Sequence, residues 1–196
     1  MLNNLIAILL GYLLGAIPTG VVVCRLKSGV KLHEVGSGHT GGTNALRTSG
    51  VWAGLITAVV DILLGSAAIL LARALTDNEW VAAIAGILAI LGHNWSIYIN
   101  FKGGIGLSTT FGTLVCLFPL KTLAVVGLVI LFYALMLFLV HYHRARTTIF
   151  AMILMIVLFG LFQAPLSVVT LSFCGGLMVI IKTLSDWNRK YEPKKI

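Results

Sequence analysis

Seven stretches of this chain are apolar for long enough, or nearly long enough, to cross a lipid bilayer, and that property decides most of what it can fold into. About 20 apolar helical residues cover the roughly 30 Å hydrocarbon core. Such runs fall near residues 2–24, 51–75, 80–101, 107–118, 122–140, 147–162 and 166–181. Of the 196 residues, 59% are apolar and only 10% charged, where a soluble domain carries about 25% charged. Disorder is excluded by the hydrophobicity, and a compact water-soluble enzyme by the shortage of polar residues to cover its surface. The expected fold is all-α: a polytopic membrane helix bundle forming one integral domain over residues 1–196. The fourth run is short and follows a glycine-rich stretch. It is either a short span or a re-entrant segment, which lipid tolerates only where protein covers the backbone. The count is seven spans, or six if that run does not cross. The first run lacks the basic leader and cleavage site of a signal peptide and is expected to be retained as a span.

Net charge is +8, and its placement tests the span count. With alternate loops on opposite sides, one side collects twelve of the fourteen cations: Arg25, Lys27, Lys31, Arg47, Lys102, Arg144, Arg146, Lys182, Arg189, Lys190, Lys194 and Lys195. The other has Arg73 and Lys121. The positive-inside rule puts the C-terminus and the longer loops in the cytoplasm and the N-terminus outside, as expected of a multi-pass protein of the cell membrane. The charge is therefore a topology signal first, and no nucleic-acid partner is expected. Cys24, Cys116 and Cys174 lie far apart in apolar runs and read as buried thiols, with neither disulfide nor metal spacing.

Polar residues gather in two loops on the basic side. The first carries Gly36-Ser-Gly-His-Thr-Gly-Gly-Thr-Asn-Ala-Leu-Arg47. Its glycines let backbone N–H groups converge, as anion sites require, and Ser37, Thr43 and Asn44 add side-chain donors. Thr43 or Asn44 is expected to cap a helix beginning at Ala45, with Arg47 in its first turn, shaped for bidentate phosphate contact. The competing reading is a flexible polar linker. No Gly-Lys-Ser/Thr follows, so a nucleotide-hydrolysing loop is not supported. The second loop, Gly92-His-Asn-Trp-Ser-Ile-Tyr-Ile-Asn-Phe-Lys-Gly-Gly-Ile-Gly106, offers Lys102 beside open backbone at Gly103, Gly104 and Gly106. His93 is either a hydrogen-bonded structural group or a general base. Two such loops on one side of a small bundle can converge on one phosphorylated ligand. No Ser-His-Asp arrangement, metal cluster or carboxylate pair occurs in the loops.

These segments resemble the bacterial acyl-phosphate:glycerol-3-phosphate acyltransferases. The first loop is similar to the family's G-S-G-N-x-G-A-T-N-x-x-R, the second to G-H-x-x-P-x-x-x-x-F-K-G-G-K-G, and Asp61-Ile-Leu-Leu-Gly65 to D-x-x-K-G. The match runs in order from about residue 12 to residue 112. The resemblance implies transfer of an acyl group from acyl phosphate to glycerol 3-phosphate, giving lysophosphatidic acid and phosphate for phospholipid synthesis, with no cofactor or metal. The implied partners are the two substrates and membrane lipid. The phosphate-binding set carried over is Ser37, Gly38, Thr43, Asn44, Arg47, Lys102, Gly103, Gly104, Gly106 and Arg189, with His93 the candidate base.

The chain departs from the pattern where Leu64 and Ile105 replace lysines. A third signature, H-R-x-N-I-x-R, has Thr183 and Asp186 in place of histidine and asparagine, and keeps Arg189. The missing charge can come from Arg144, Arg146 or Lys182. Asp61, deep in a span without its family partner, is hydrogen-bonded within the bundle, neutral, or facing a wet site. A non-catalytic protein of the same fold is the alternative reading. A transporter of a phosphorylated solute fits less well, because polar residues and an internal repeat are missing from the spans.

Overall fold

The computed structural model describes residues 1–138 and 143–189. Every regular element among them is helical. Six segments are long and apolar enough to cross a membrane, and a seventh helix is apolar but short. The first span, expected as one run, is two helices, α1 (Leu2–Gly15) and α2 (Thr19–Ser28). Pro18 has no N–H and disfavours helix in the residue before it. The ladder accordingly gives way to a turn, with Ile17 N–H donating to the Leu14 carbonyl and Thr19 N–H to that of Ile17. The other helices are α3 (Gly42–Ser49), α4 (Val51–Leu75), α5 (Glu79–Asn94), α6 (Leu107–Leu117), α7 (Pro119–Phe138), α8 (Arg144–Leu161) and α9 (Leu166–Leu184).

Lipid is as apolar as leucine, so these helices associate through close packing rather than hydrophobic exclusion. At the crossing of α1 and α5, Gly11 and Gly15 lie against the backbone of Ala85 and Ala89, where a Cβ would overlap the carbonyls. α4 packs on α1, α3, α5 and α6, while α9 packs on α5 and α8, and α7 on α8. Between them Ile69, Leu114, Val125, Phe159, Leu171 and Val179 are fully buried. Leu63, Leu70, Ile130 and Leu131 face outward, as lipid contact requires.

The two ends of the bundle differ. At one, Arg73 donates to the carbonyls of Cys116 (2.7 Å) and Leu117 (3.1 Å), the last turn of α6. Lys121 donates to the Phe162 carbonyl beyond α8 at 2.7 Å, and Asn3 to that of Leu75. Both cations of the sparsely charged side thus satisfy carbonyls that helix ends leave without partners. Arg47, Lys102, Arg144 and Arg189 belong to the opposite end. Lys190, Lys194 and Lys195 lie outside the described residues, as does the end of the expected fifth span at Val140. α6 has eleven residues, about 16 Å of rise, so it reaches its capped end from a start well inside the bundle.

Candidate active site

The first loop is folded around one side chain. The Asn44 amide nitrogen lies within hydrogen-bond distance of the carbonyls of Leu32 (3.2 Å), Val35 (3.0 Å) and His39 (2.9 Å), which share its two hydrogens, and its oxygen accepts from Ser37 N–H at 3.1 Å. Asn44 is therefore the latch that shapes the loop. The helix boundary differs from expectation. α3 starts at Gly42 behind an N-cap at Gly41 with no side-chain cap, which places Thr43 and Asn44 in its first turn and Arg47 in its last. The cause is that the Asn44 side chain points back into the loop instead of capping. Gly42 and Gly54 meet where α3 crosses α4, and a Cβ on either would run into the other's carbonyl region. That close approach holds Arg47 over α4.

The second loop uses its glycines for packing. Gly104 N–H donates to the His93 carbonyl at 3.0 Å. A Cβ at Gly103 would strike the His93 and Asn94 carbonyls, and one at Gly104 the His93 ring at Nε2. Residues 101–106 thus lie flat against the end of α5. Gly106, at φ +95°, begins α6 in the left-handed region, which favours glycine. Thr40 N–H donates to the Gly103 carbonyl, joining the two loops. Lys102 is exposed, and its backbone pairs with Ser96 and Ile99.

Asp61 of α4 and His93 of α5 meet across the bundle, both buried, with Nδ1 to Oδ1 3.8 Å. This is electrostatic contact, longer than a hydrogen bond. Of the readings open for Asp61, the structure puts it on the wall of the cleft, beside the histidine.

The C-terminal segment closes the basic end. Arg189 Nε donates to Asp186 Oδ1 at 2.7 Å, and Nη1 donates to the Gly36 carbonyl at 3.2 Å. His39 Nε2 lies 3.4 Å from the other Asp186 oxygen, and a His143 ring nitrogen is 2.7 Å from the Arg189 carbonyl. Burial, reinforced by Lys182 and Arg189, holds His39 below the ordinary imidazole range despite the Asp186 carboxylate. Arg189, carried over as a phosphate ligand, is here a clasp on the first loop.

A cleft of about 520 Å³ joins these parts. Of the sequence-derived residues, Ser37, Thr43, Asn44, Arg47, His93 and Gly106 line it; Gly38, Lys102, Gly103, Gly104 and Arg189 do not. Asp186, His39 and Tyr133, which the sequence did not bring into the site, line the cleft, as do Asp61 and Arg144, each of which the sequence offered as one possibility among several. Asp61 had a legible signal as a carboxylate deep in a span. Asp186 and His39 sat at signature positions with altered residues. One wall is apolar: Val51, Leu55 and Ala58 of α4 face Tyr133 and Leu137 of α7. Cations, hydroxyls and helix-start N–H groups thus share one space with a histidine–carboxylate pair and a greasy flank, suited to an amphiphile with an anionic head.

A family model described as glycerol-3-phosphate acyltransferase matches residues 5–192. The chain is 44% identical over 116 residues to the glycerol-3-phosphate acyltransferase of Thermus thermophilus, covering 59% of this chain and 58% of that protein. The match to a glycerol-3-phosphate acyltransferase of Deinococcus radiodurans is 48% over 119 residues, again spanning under two thirds of the relative's length. With that of Synechococcus elongatus, identity is 34% over 198 residues, 96% of this chain and 92% of the relative. Among solved structures, the fold is similar to crystalline PlsY, an integral membrane glycerol 3-phosphate acyltransferase, in its glycerol 3-phosphate form. The TM-score is 0.82 at 30% identity, covering 95% of this chain and 90% of that one. Since the family match runs almost end to end and the fold agrees over the same length, this chain belongs to the glycerol-3-phosphate acyltransferase family.

Proposed function

We propose that this protein transfers an acyl group from acyl phosphate to glycerol 3-phosphate, releasing phosphate and leaving 1-acylglycerol 3-phosphate. The observation that carries this reading is the single cleft in which Arg47, Ser37 and the start of α3 face the Asp61–His93 pair, with an apolar wall between α4 and α7. Acyl phosphate is already activated, so one step suffices. The glycerol hydroxyl oxygen attacks the carbonyl carbon, the carbon–oxygen bond to phosphate breaks, and phosphate leaves with that electron pair. Catalysis then rests on positioning two anions and on stabilising charge at the carbonyl and the leaving group. Arg47, the Ser37 hydroxyl and the N–H groups of Gly42 and Thr43 serve the anions.

Asp61 beside Nδ1 favours the tautomer that leaves Nε2 of His93 able to accept the hydroxyl proton. The apolar wall receives the acyl chain from the bilayer. The basic end, with Arg47, Lys102, Arg144 and Arg189, faces the cytoplasm by the positive-inside rule, which puts the phosphorylated substrates on the side where they are soluble. On this reading the protein works in the cytoplasmic membrane.

The test is purified protein with acyl phosphate and glycerol 3-phosphate, assayed for lysophosphatidic acid and phosphate. Wild type should form both in equal amounts. Arg47→Ala should abolish product, and His93→Gln should lower kcat by about 10²–10⁴-fold, the usual contribution of a general base. A wild-type protein that forms neither product refutes the reaction.

A further inference from the structure

The reaction proposed above brings two phosphate groups into one cleft, and one guanidinium at Arg47 does not neutralise both. Four other cations of the basic end lie off the cleft wall. Lys102 is exposed and off the cleft wall. Arg146 donates to Asn188 Oδ1 at 3.3 Å and stacks on Trp187 with 5.0 Å to the ring centre. Lys182 sits 5.0 Å over the Trp95 ring. Arg189 is held by Asp186 and the Gly36 carbonyl. Among the described residues, Arg47 and Arg144 are the two Lys or Arg residues that line the cleft.

The backbone at Arg144 is fixed there. It opens α8, its carbonyl accepts from the Thr148 hydroxyl at 3.0 Å, and Ala145 and Thr148 are buried and line the same cleft. Ile105 contributes an apolar surface to the cleft and packs on the core, so the loop before α6 brings no charge at that point. The helix N-terminus at α8 also favours an anion.

From this placement we infer that Arg144 is a substrate-binding residue, the second phosphate anchor of the cleft, carried on a different helix from Arg47. The inference rests on the acyl-transfer reading for its two phosphates, and it names the residue that binds one of them. A guanidinium offers a paired set of donors to phosphate oxygens, and a fixed anchor of this kind acts on binding more than on the chemical step.

The test measures KM for each substrate with the other saturating, in wild type and in Arg144→Gln, Arg144→Lys and Arg146→Gln, together with calorimetric titration of inorganic phosphate. Arg144→Gln should raise KM for one substrate by about 10- to 100-fold, the usual effect of losing a charge-assisted hydrogen bond, with kcat changed a few-fold at most. Arg144→Lys should recover most of that loss, and Arg146→Gln should behave as wild type. Phosphate should bind Arg144→Gln at least about tenfold more weakly than wild type. An active wild type with both KM values unchanged in Arg144→Gln, or raised equally by Arg146→Gln, overturns the inference and leaves the reaction standing. If wild type makes no product, the reaction falls and the phosphate titration alone decides. Weaker binding in Arg144→Gln then sustains the anchor, while equal binding, or none to wild type, overturns it.

Discussion

Removing the Asp186 carboxylate should open the first loop without unfolding the bundle. The carboxylate is nearly inaccessible, with 4% side-chain exposure, and takes a 2.7 Å hydrogen bond from an arginine that is 34% exposed. A hydrogen bond to a charged group contributes about 1.5–3 kcal/mol. The exposed guanidinium reduces that, because Arg189 can recover solvation in water. His39, kept neutral at pH 7 by burial, leaves no stranded charge when its partner goes. The net cost of Asp186→Ala is therefore about 1–2 kcal/mol, or roughly a 5- to 30-fold larger open fraction.

The motion would release Arg189 from the Gly36 carbonyl, while the His143 contact still ties the segment to α8. Hydrogen exchange at Ser37, Gly38 and His39 reports it, since their amides bond to Asn44, Val35 and Ser37 within the loop. Exchange there should speed up by that factor, with the amides of α4 and α5 unchanged. Arg189→Ala should match it, and the double variant should add little, since both remove one contact. Unchanged loop exchange in Asp186→Ala, or additive effects in the double variant, would refute the clasp.

The clasp also gives a pH dependence. His39 resists protonation in the folded state, so the open chain binds more protons and the stability of the closed loop rises with pH. Loop protection should fall as pH drops through about 6.5 and fall less in His39→Gln, by the same exchange measurement. Gly104→Ala should lower the thermal midpoint in detergent, at a cost of about 1–3 kcal/mol for overpacking, because the new methyl meets a His93 ring flanked by Asp61. A midpoint equal to wild type would show that the loop moves aside.

How much of this was legible depended on distance along the chain. Spans were legible because lipid imposes a length and a composition on every crossing helix. The break at Pro18 was in the sequence too, but the apolar run around it concealed that one residue ended the ladder. The basic loops were visible as anion sites, yet composition does not say which glycine faces a ligand and which faces a neighbour. Gly103 admits the backbone of α5 and Gly104 the His93 ring, whereas Gly42 admits α4. Asn44 looked like a phosphate donor and proved to hold its own loop, because an amide can reach several carbonyls at once. The Asp61–His93 contact joins residues 32 positions apart on two helices, and no local pattern records it. The place of Arg144 on the cleft depends on how α8 packs, which the family motifs leave out.

The short α6 has an electrical consequence. Its eleven residues put about 16 Å of protein between the floor of the cleft and the end capped by Arg73, roughly half the usual hydrocarbon thickness. Below that floor Leu114, Leu117, Ile69 and Phe159 are packed without solvent exposure or nearly so. A transmembrane voltage falls across the dry layer and hardly at all across a polar cleft open to one side. Asp61, His93 and any bound phosphates would then sit at nearly the potential of the compartment they open to. Charged reactants would enter and leave without working against the membrane field, and the thin layer beneath them would carry the insulation alone.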